Sequence, residues 1–157
     1  MKTFTTCLWF DTQGEEAAEF YTSLFPNSTI TNVSRYGEGG PRPAGTAMTV
    51  DFELDGRGFV ALNGGPDFTF NEAVSFQVWC ESQEEVDSYW NQLVEGGSEG
   101  ACGWLKDKFG LSWQIIPTVL GDLVGGPDPE GAARAMTAML GMKKIDIAEL
   151  RLAYDQP

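Results

Sequence analysis

The sequence contains no histidine. That excludes a histidine general base, a Ser-His-Asp arrangement and every zinc or iron site built on imidazole. Basic residues are scarce as well: ten Lys and Arg stand against 23 Asp and Glu, a formal net charge of −13. So acidic a chain repels phosphate backbones and anionic bilayers, so neither nucleic acid nor a membrane surface is expected as a partner. Cysteine is sparse and dispersed. Cys7, Cys80 and Cys102 form no CxxC pair, which argues against a zinc ribbon or a thioredoxin-type couple and suits reduced thiols in a cytoplasmic protein. No apolar run is long enough to span a bilayer, and Met1 to Cys7 lacks the apolar core of an export signal. Without export, the glycosylation patterns at Asn27-Ser28-Thr29 and Asn32-Val33-Ser34 are read as accidental.

What is present is ordinary globular composition. The 157 residues are 42% hydrophobic and 21% charged, enough for one domain over 1–157 with a proper core. The chain also repeats itself. Trp9-Phe10-Asp11-Thr12-Gln13 aligns with Trp79-Cys80-Glu81-Ser82-Gln83. With Gly14 skipped, Glu15-Glu16-Ala17 falls on Glu84-Glu85-Val86, Phe20-Tyr21 on Tyr89-Trp90 and Leu24-Phe25 on Leu93-Val94. An offset of about 70 residues marks a duplicated module rather than a solenoid repeat.

Each copy has the same grammar. Phe4 to Phe10 and Val74 to Cys80 are short β-prone runs. Thr12 and Ser82 are placed to cap the helices that follow, and acidic residues fill both first turns, as the helix dipole prefers. Ala17, Phe20, Tyr21 and Leu24 form one helical stripe, and Val86, Tyr89, Trp90 and Leu93 another. Pro26-Asn27 and Gly96-Gly97 end the helices. Further strands are expected over 29–36, 48–54 and 59–62, the last two joined by a turn at Asp55-Gly56-Arg57-Gly58. In the second copy, strands over 103–106 and 111–116 flank the turn Asp107-Lys108-Phe109-Gly110. The modules span about 1–70 and 71–117. The remainder, about 118–157, predicts a helix over 130–140 and a last one capped by Asp146, together a cover for something else.

Two such modules in tandem resemble the vicinal oxygen chelate (glyoxalase/bleomycin-resistance) superfamily. The motifs Leu8-Trp9-Phe10-Asp11, Leu24-Phe25-Pro26-Asn27-Ser28, Leu62-Asn63-Gly64-Gly65-Pro66, Cys102-Gly103-Trp104-Leu105-Lys106-Asp107 and Gly110-Leu111-Ser112-Trp113-Gln114 resemble its PhnB-like branch, over about the whole chain. That branch is often labelled a demethylubiquinone 3-methyltransferase. The resemblance implies an α+β fold whose tandem βαβββ modules form a half-open eight-stranded cup, usually in a homodimer. Its metalloenzymes hold metal with His, Gln or Glu. Here the histidines are missing, and Gln114 stands where metal-binding relatives commonly carry Glu, so no metal and no cofactor is expected. The methyltransferase label finds no support in the residues. The nearest Gly-rich pattern, Gly56-Arg57-Gly58-Phe59-Val60-Ala61, is followed by strand-like residues instead of a helix.

Alternation on the 75–80 run sets Ser75, Gln77 and Trp79 on one face and Phe76, Val78 and Cys80 on the other. With helices on the apolar face, the first set lines the cup; the alternative is a solvent-facing Gln77. Gln114 either orients a ligand or ties down a neighbouring loop. Asn63 lines the pocket or shapes the turn before Gly64. Cys102, near Lys106 and Lys108, is a weak candidate nucleophile or a small packed thiol. Trp9, Trp79, Trp104 and Trp113 suit aromatic walls for a flat apolar ligand, or core packing. Met136, Met139 and Met142 form an adaptable lid or ordinary helix packing. The expected function is a metal-independent small-molecule binding protein; the alternative is an enzyme on a small metabolite, with methyl transfer as one version.

Overall fold

The computed structural model describes residues 4–156; Met1 to Thr3, part of the segment read for an export signal, lie outside them. The chain falls into two compact units, Met1–Phe70 and Asn71–Pro157. The first contains β1 (Thr6–Phe10), α1 (Gly14–Leu24), β2 (Thr29–Arg35), β3 (Ala47–Leu54) and β4 (Arg57–Asn63). Its strands are ordered β1-β4-β3-β2, with β1 parallel to β4 and the other pairs antiparallel. The second repeats the pattern with β5 (Ser75–Cys80), α2 (Gln83–Val94), β6 (Ser98–Glu99), β7 (Trp104–Lys106) and β8 (Ser112–Pro117), ordered β5-β8-β7-β6. It continues into α3 (Leu120–Val124), α4 (Pro129–Leu140) and α5 (Ile147–Asp155). The α+β class, the duplicated βαβββ unit and the C-terminal helices are all present. No helix among the described residues is long and apolar enough to cross a membrane.

In each module one helix covers one face of one sheet. Ala17, Ala18 and Tyr21 of α1 are fully buried with Leu8, Phe10, Val50, Phe52, Phe59 and Ala61. Phe52 stacks on Phe59 with centroids 5.3 Å apart. Each fully buried side chain of this size contributes about 1.5–3 kcal/mol. In the second module Val86, Trp90 and Leu93 of α2 are buried with Val78, Cys80, Leu105, Trp113 and Ile115. The β3–β4 hairpin turns on Asp55 and Gly56 alone, at φ 47° and 72°. Positive φ at both central residues gives the tight turn whose twist matches its strands, so β4 starts two residues earlier than expected.

The two helices start differently, and Gly14 is the reason. Ser82 caps α2: its hydroxyl accepts from Glu85 N, while the Glu85 carboxylate accepts from Glu81 N. Thr12 does not cap α1. The extra residue puts Gln13 at the cap position, with no side-chain bond. Asn63, from the far end of β4, does the work instead. Its Oδ1 accepts from Gly14 N at 2.7 Å and its Nδ2 donates to Ala47 O at 3.0 Å. Glycine is required at the contact, because a Cβ there would lie 2.7 Å from Asn63 Oδ1.

The C-terminal helices are not simply a cover. They pack on each other around Leu123, Ala135, Met142, Ile145 and Leu150, and sequence periodicity gave no sign of the short α3. The 130–140 helix begins one residue earlier, with Pro129 in its first turn and Asp128 as cap. Asp146 caps α5 through Glu149 N, as expected. This subassembly is tied to its module by polar bonds. Cys102 N and Gly103 N donate to Met142 O and Lys143 O at 2.8 and 2.7 Å. Gln83 donates to Ile145 O and accepts from Ile147 N. Lys144 pairs with Asp87 at 2.7 Å.

Two outcomes follow. Asn63→Ala strands a buried donor and a buried acceptor, and is expected to cost about 2–4 kcal/mol in chemical denaturation; Gly14→Ala destabilises too, and the double variant loses less than the sum. The bonds from Lys144 and Gln83 hold the Asp87 carboxyl below its ordinary pKa. Its contribution is therefore present above the ordinary carboxylate pKa and lost as pH falls through the lowered value. The protection factors of the first turn of α5, relative to intrinsic exchange at each pH, should fall over that acid range, and less so in Asp87→Asn.

Candidate functional site

Because each module's helix occupies one face of its sheet, the opposite face carries no helix of its own βαβββ unit. In the second sheet lateral pairing places Gln77 beside Gln114, and Gln114 beside Trp104. Laterally paired residues share a face. Three expected site residues from three strands thus form one row. The next row is Ser75, Ser112 and Lys106, and on the other side Trp79 pairs with Ile116. Gln77 Nε2 donates to Gln114 Oε1 at 3.4 Å, and Gln114 Nε2 donates to Ser75 Oγ at 2.8 Å. Gln114 is therefore fixed by its strand neighbours, not by a loop. Gln77 is exposed, and Trp79 is 57% exposed, an unusual state for the largest side chain on a strand. Phe76, Val78 and Cys80 turn toward the helix, as alternation predicts.

The other expected residues divide. Asn63 is 5% exposed and lies on the helix side of its sheet with both ends of its amide engaged, so it is a clamp on α1 and not a pocket wall. Trp113 also faces the helix side. Its indole donates to Asp107 Oδ2 at 2.9 Å, while Asp107 Oδ1 accepts from Phe109 N and Leu111 N; the 107–110 turn is built around this buried carboxylate. Trp9 is on the open face of the first sheet but carries its own covering. Its indole donates to Gly65 O at 2.9 Å, and Phe68 meets it edge-on with centroids 4.9 Å apart. Of the methionines named as a lid, Met142 is buried among the C-terminal helices and Met139 packs on the same cluster, while Met136 is exposed.

The thiols offer little chemistry. Burial, with Glu85 and Glu81 nearby, pushes Cys80 up to about 11, and burial raises Cys7. Cys102 sits half-buried in a turn at φ 55°. The cations that suggested an activated thiol have other contacts: Lys106 pairs with Glu72 at 2.5 Å, and Lys108 lies over the Phe109 ring. The Gly56 to Ala61 segment is the β3–β4 hairpin and β4 itself, so it lacks the strand–turn–helix geometry that cradles a nucleotide-type cofactor.

A divalent metal fits these residues poorly. Among the described residues no three His, Cys, Asp or Glu side chains converge. The row on the second sheet offers neutral amide and hydroxyl oxygens, which do not compensate a divalent cation for its lost water as carboxylates do.

Paired βαβββ modules, each with β1-β4-β3-β2 type order and one open sheet face, are the architecture of the vicinal oxygen chelate superfamily. Residues 2–116 match the family model described as 3-demethylubiquinone-9 3-methyltransferase. The chain belongs to this PhnB-like family; α3 to α5 lie beyond the matched residues. A PhnB protein from Bacillus cereus is 38% identical, with a TM-score of 0.70, over 74% of this chain and 100% of that one. Protein PA1353 from Pseudomonas aeruginosa (20% identical, TM-score 0.60, 74% and 98% covered) is similar in fold. So is the fosfomycin resistance protein FosX from Listeria monocytogenes (12%, TM-score 0.50, 74% and 93%). A comparison with curated proteins finds no match.

The arrangement makes a spectroscopic forecast. The other tryptophans are buried or half-buried. Acrylamide quenching should therefore be dominated by Trp79, and Trp79→Phe should remove most of the quenchable emission while leaving the melting temperature nearly unchanged.

Proposed function

We propose that this protein binds a small organic molecule without a metal, on the open face of its second sheet. The observation that carries the reading is the in-register row Gln77–Gln114–Trp104 beside the exposed Trp79. Two amides in contact present an oxygen and an NH2 group at fixed spacing, and can orient a polar edge. Trp79 and Trp104 offer apolar surface for the rest of the ligand. Ser75 positions the Gln114 amide through its hydroxyl. The neutral donor set supports binding without a metal ion. The row of Gln77, Gln114 and Trp104 supplies neither a nucleophile nor a general base, and Cys102 lies outside it, which favours binding over catalysis. A homodimer and a cytoplasmic setting are part of the same proposal, the latter resting on three unpaired cysteines.

Native mass spectrometry of protein purified without a histidine tag reads subunit number, metal content and co-purified molecules together. The expected result is a metal-free dimer carrying an organic ligand. Gln77→Ala and Trp79→Ala should each weaken that ligand about tenfold, near 1.4 kcal/mol. Stoichiometric metal, or affinity unchanged in both variants, would overturn the reading.

A further inference from the structure

The row beside the amides holds an unanswered donor. Ser112 is 1% exposed, and its hydroxyl is the one buried side-chain polar atom among the described residues with no hydrogen-bond partner. Buried hydroxyls are normally satisfied, because an unmet one carries the full cost of leaving water. Ser112 is paired laterally with Ser75 on one side and Lys106 on the other. Ser75 does not relieve it: its oxygen accepts from Gln114, and no bond joins it to Ser112. Lys106, the only cationic residue in strands β5 to β8, has only hydrogens to offer. The row therefore places an unbonded hydroxyl beside an ammonium.

What Lys106 holds instead is the Glu72 carboxylate, at 2.5 Å, from the segment preceding β5. Both partners are substantially exposed, 37% and 62%, and an exposed pair of this kind is weak and readily exchanged. Lys106 also draws the Glu72 carboxyl below its ordinary pKa, so a carboxylate is anionic there at neutral pH.

We propose that Lys106 and Ser112 form a carboxylate subsite of the ligand-binding face, which Glu72 occupies as a placeholder when no ligand is bound. This rests on the reading above and narrows it: the ligand is a small organic acid with one carboxylate. That group displaces Glu72 from Lys106 and accepts the Ser112 hydroxyl, while its body lies along Gln114 toward Trp104 and Trp79. A single negative charge is the favoured ligand charge, since a chain of net −13 opposes more.

The test uses acetate as the probe, followed by amide chemical shifts in 15N-labelled full-length protein at ionic strength held constant with chloride. Acetate should shift the amides of Ser112, Lys106 and Glu72 saturably. Glu72→Gln removes the competitor and should tighten acetate several-fold. Lys106→Met should abolish the response. Ser112→Ala should weaken acetate about tenfold, the scale of a hydrogen bond to a charged group, and yet raise the melting temperature, because the orphaned hydroxyl is gone. A serine with a merely structural role would not give those opposite signs. Shifts matched by chloride alone, no gain in Glu72→Gln, or a Ser112→Ala variant that binds acetate normally would overturn the subsite. Inorganic phosphate is run in parallel, and tighter binding of phosphate than acetate would overturn the carboxylate assignment. Acetate reports on Lys106 and Ser112, and the co-purified ligand's affinity in Gln77→Ala and Trp79→Ala reports on the broader reading, so the two proposals fail separately.

Discussion

One helix per four-stranded sheet is the constraint on which the rest of this protein depends. A helix is about 10 Å across and its apolar stripe covers one side of a sheet. The βαβββ unit supplies no second helix, so one face of every sheet is left without a helix from its own module. Strand alternation then sorts residues without further instruction: Val78 and Cys80 go under α2, and Gln77 and Trp79 go to the open side. The open face follows from the economy of the module, and polar residues in an otherwise apolar strand mark where it is.

Duplication let the two modules solve the same problems separately. Both must satisfy the free N–H groups at the start of a helix that follows a strand. In the second, Ser82 does this locally. In the first, one inserted glycine moves the helix start out of reach of Thr12, and Asn63 answers from β4. The position laterally equivalent to Asn63 in the second module is Pro117, the partner of Cys80 as Asn63 is of Phe10. Proline offers no side-chain hydrogen bond there. Each module has one cap, and neither could exchange its solution with the other without leaving an amide unmet.

Much of this was legible in the sequence, and what escaped it did so for identifiable reasons. The duplication, the strand faces around Gln77 and the cap at Asp146 are periodic or local features, and local chemistry decides them. Asn63 was misread because its partners are 49 and 16 residues away; nothing near Asn63 distinguishes a long-range clamp from a turn residue before Gly64. The two-residue strand β6 and the short α3 are too brief to carry a period. Trp113 looked like a pocket wall as much as Trp104 did, until lateral pairing set Trp104 beside Gln114 and Trp113 beside Leu105. As site residues, Lys106 was read only as a neighbour of Cys102, and Ser112 not at all, because a lysine and a serine on neighbouring strands have no joint sequence signature; the unmet hydrogen bond of Ser112 is visible only in coordinates.

The fate of the two aligned tryptophans shows how a duplicated scaffold covers one indole and leaves the other exposed. Trp9 and Trp79 begin at equivalent places on equivalent strands. After β4 the chain turns back, and Gly65 and Phe68 settle on Trp9, with Gly64 so close to the indole that any side chain there would collide with it. After β8 the chain instead forms α3 to α5, which spend their apolar residues on one another. Trp79 receives nothing comparable and stays largely exposed. In the first module an internal aromatic side chain covers the tryptophan; in the second, the segment that follows the sheet leaves it exposed. Divergence in the connection after the last strand, more than in the strands themselves, is what separates a covered indole from an exposed one.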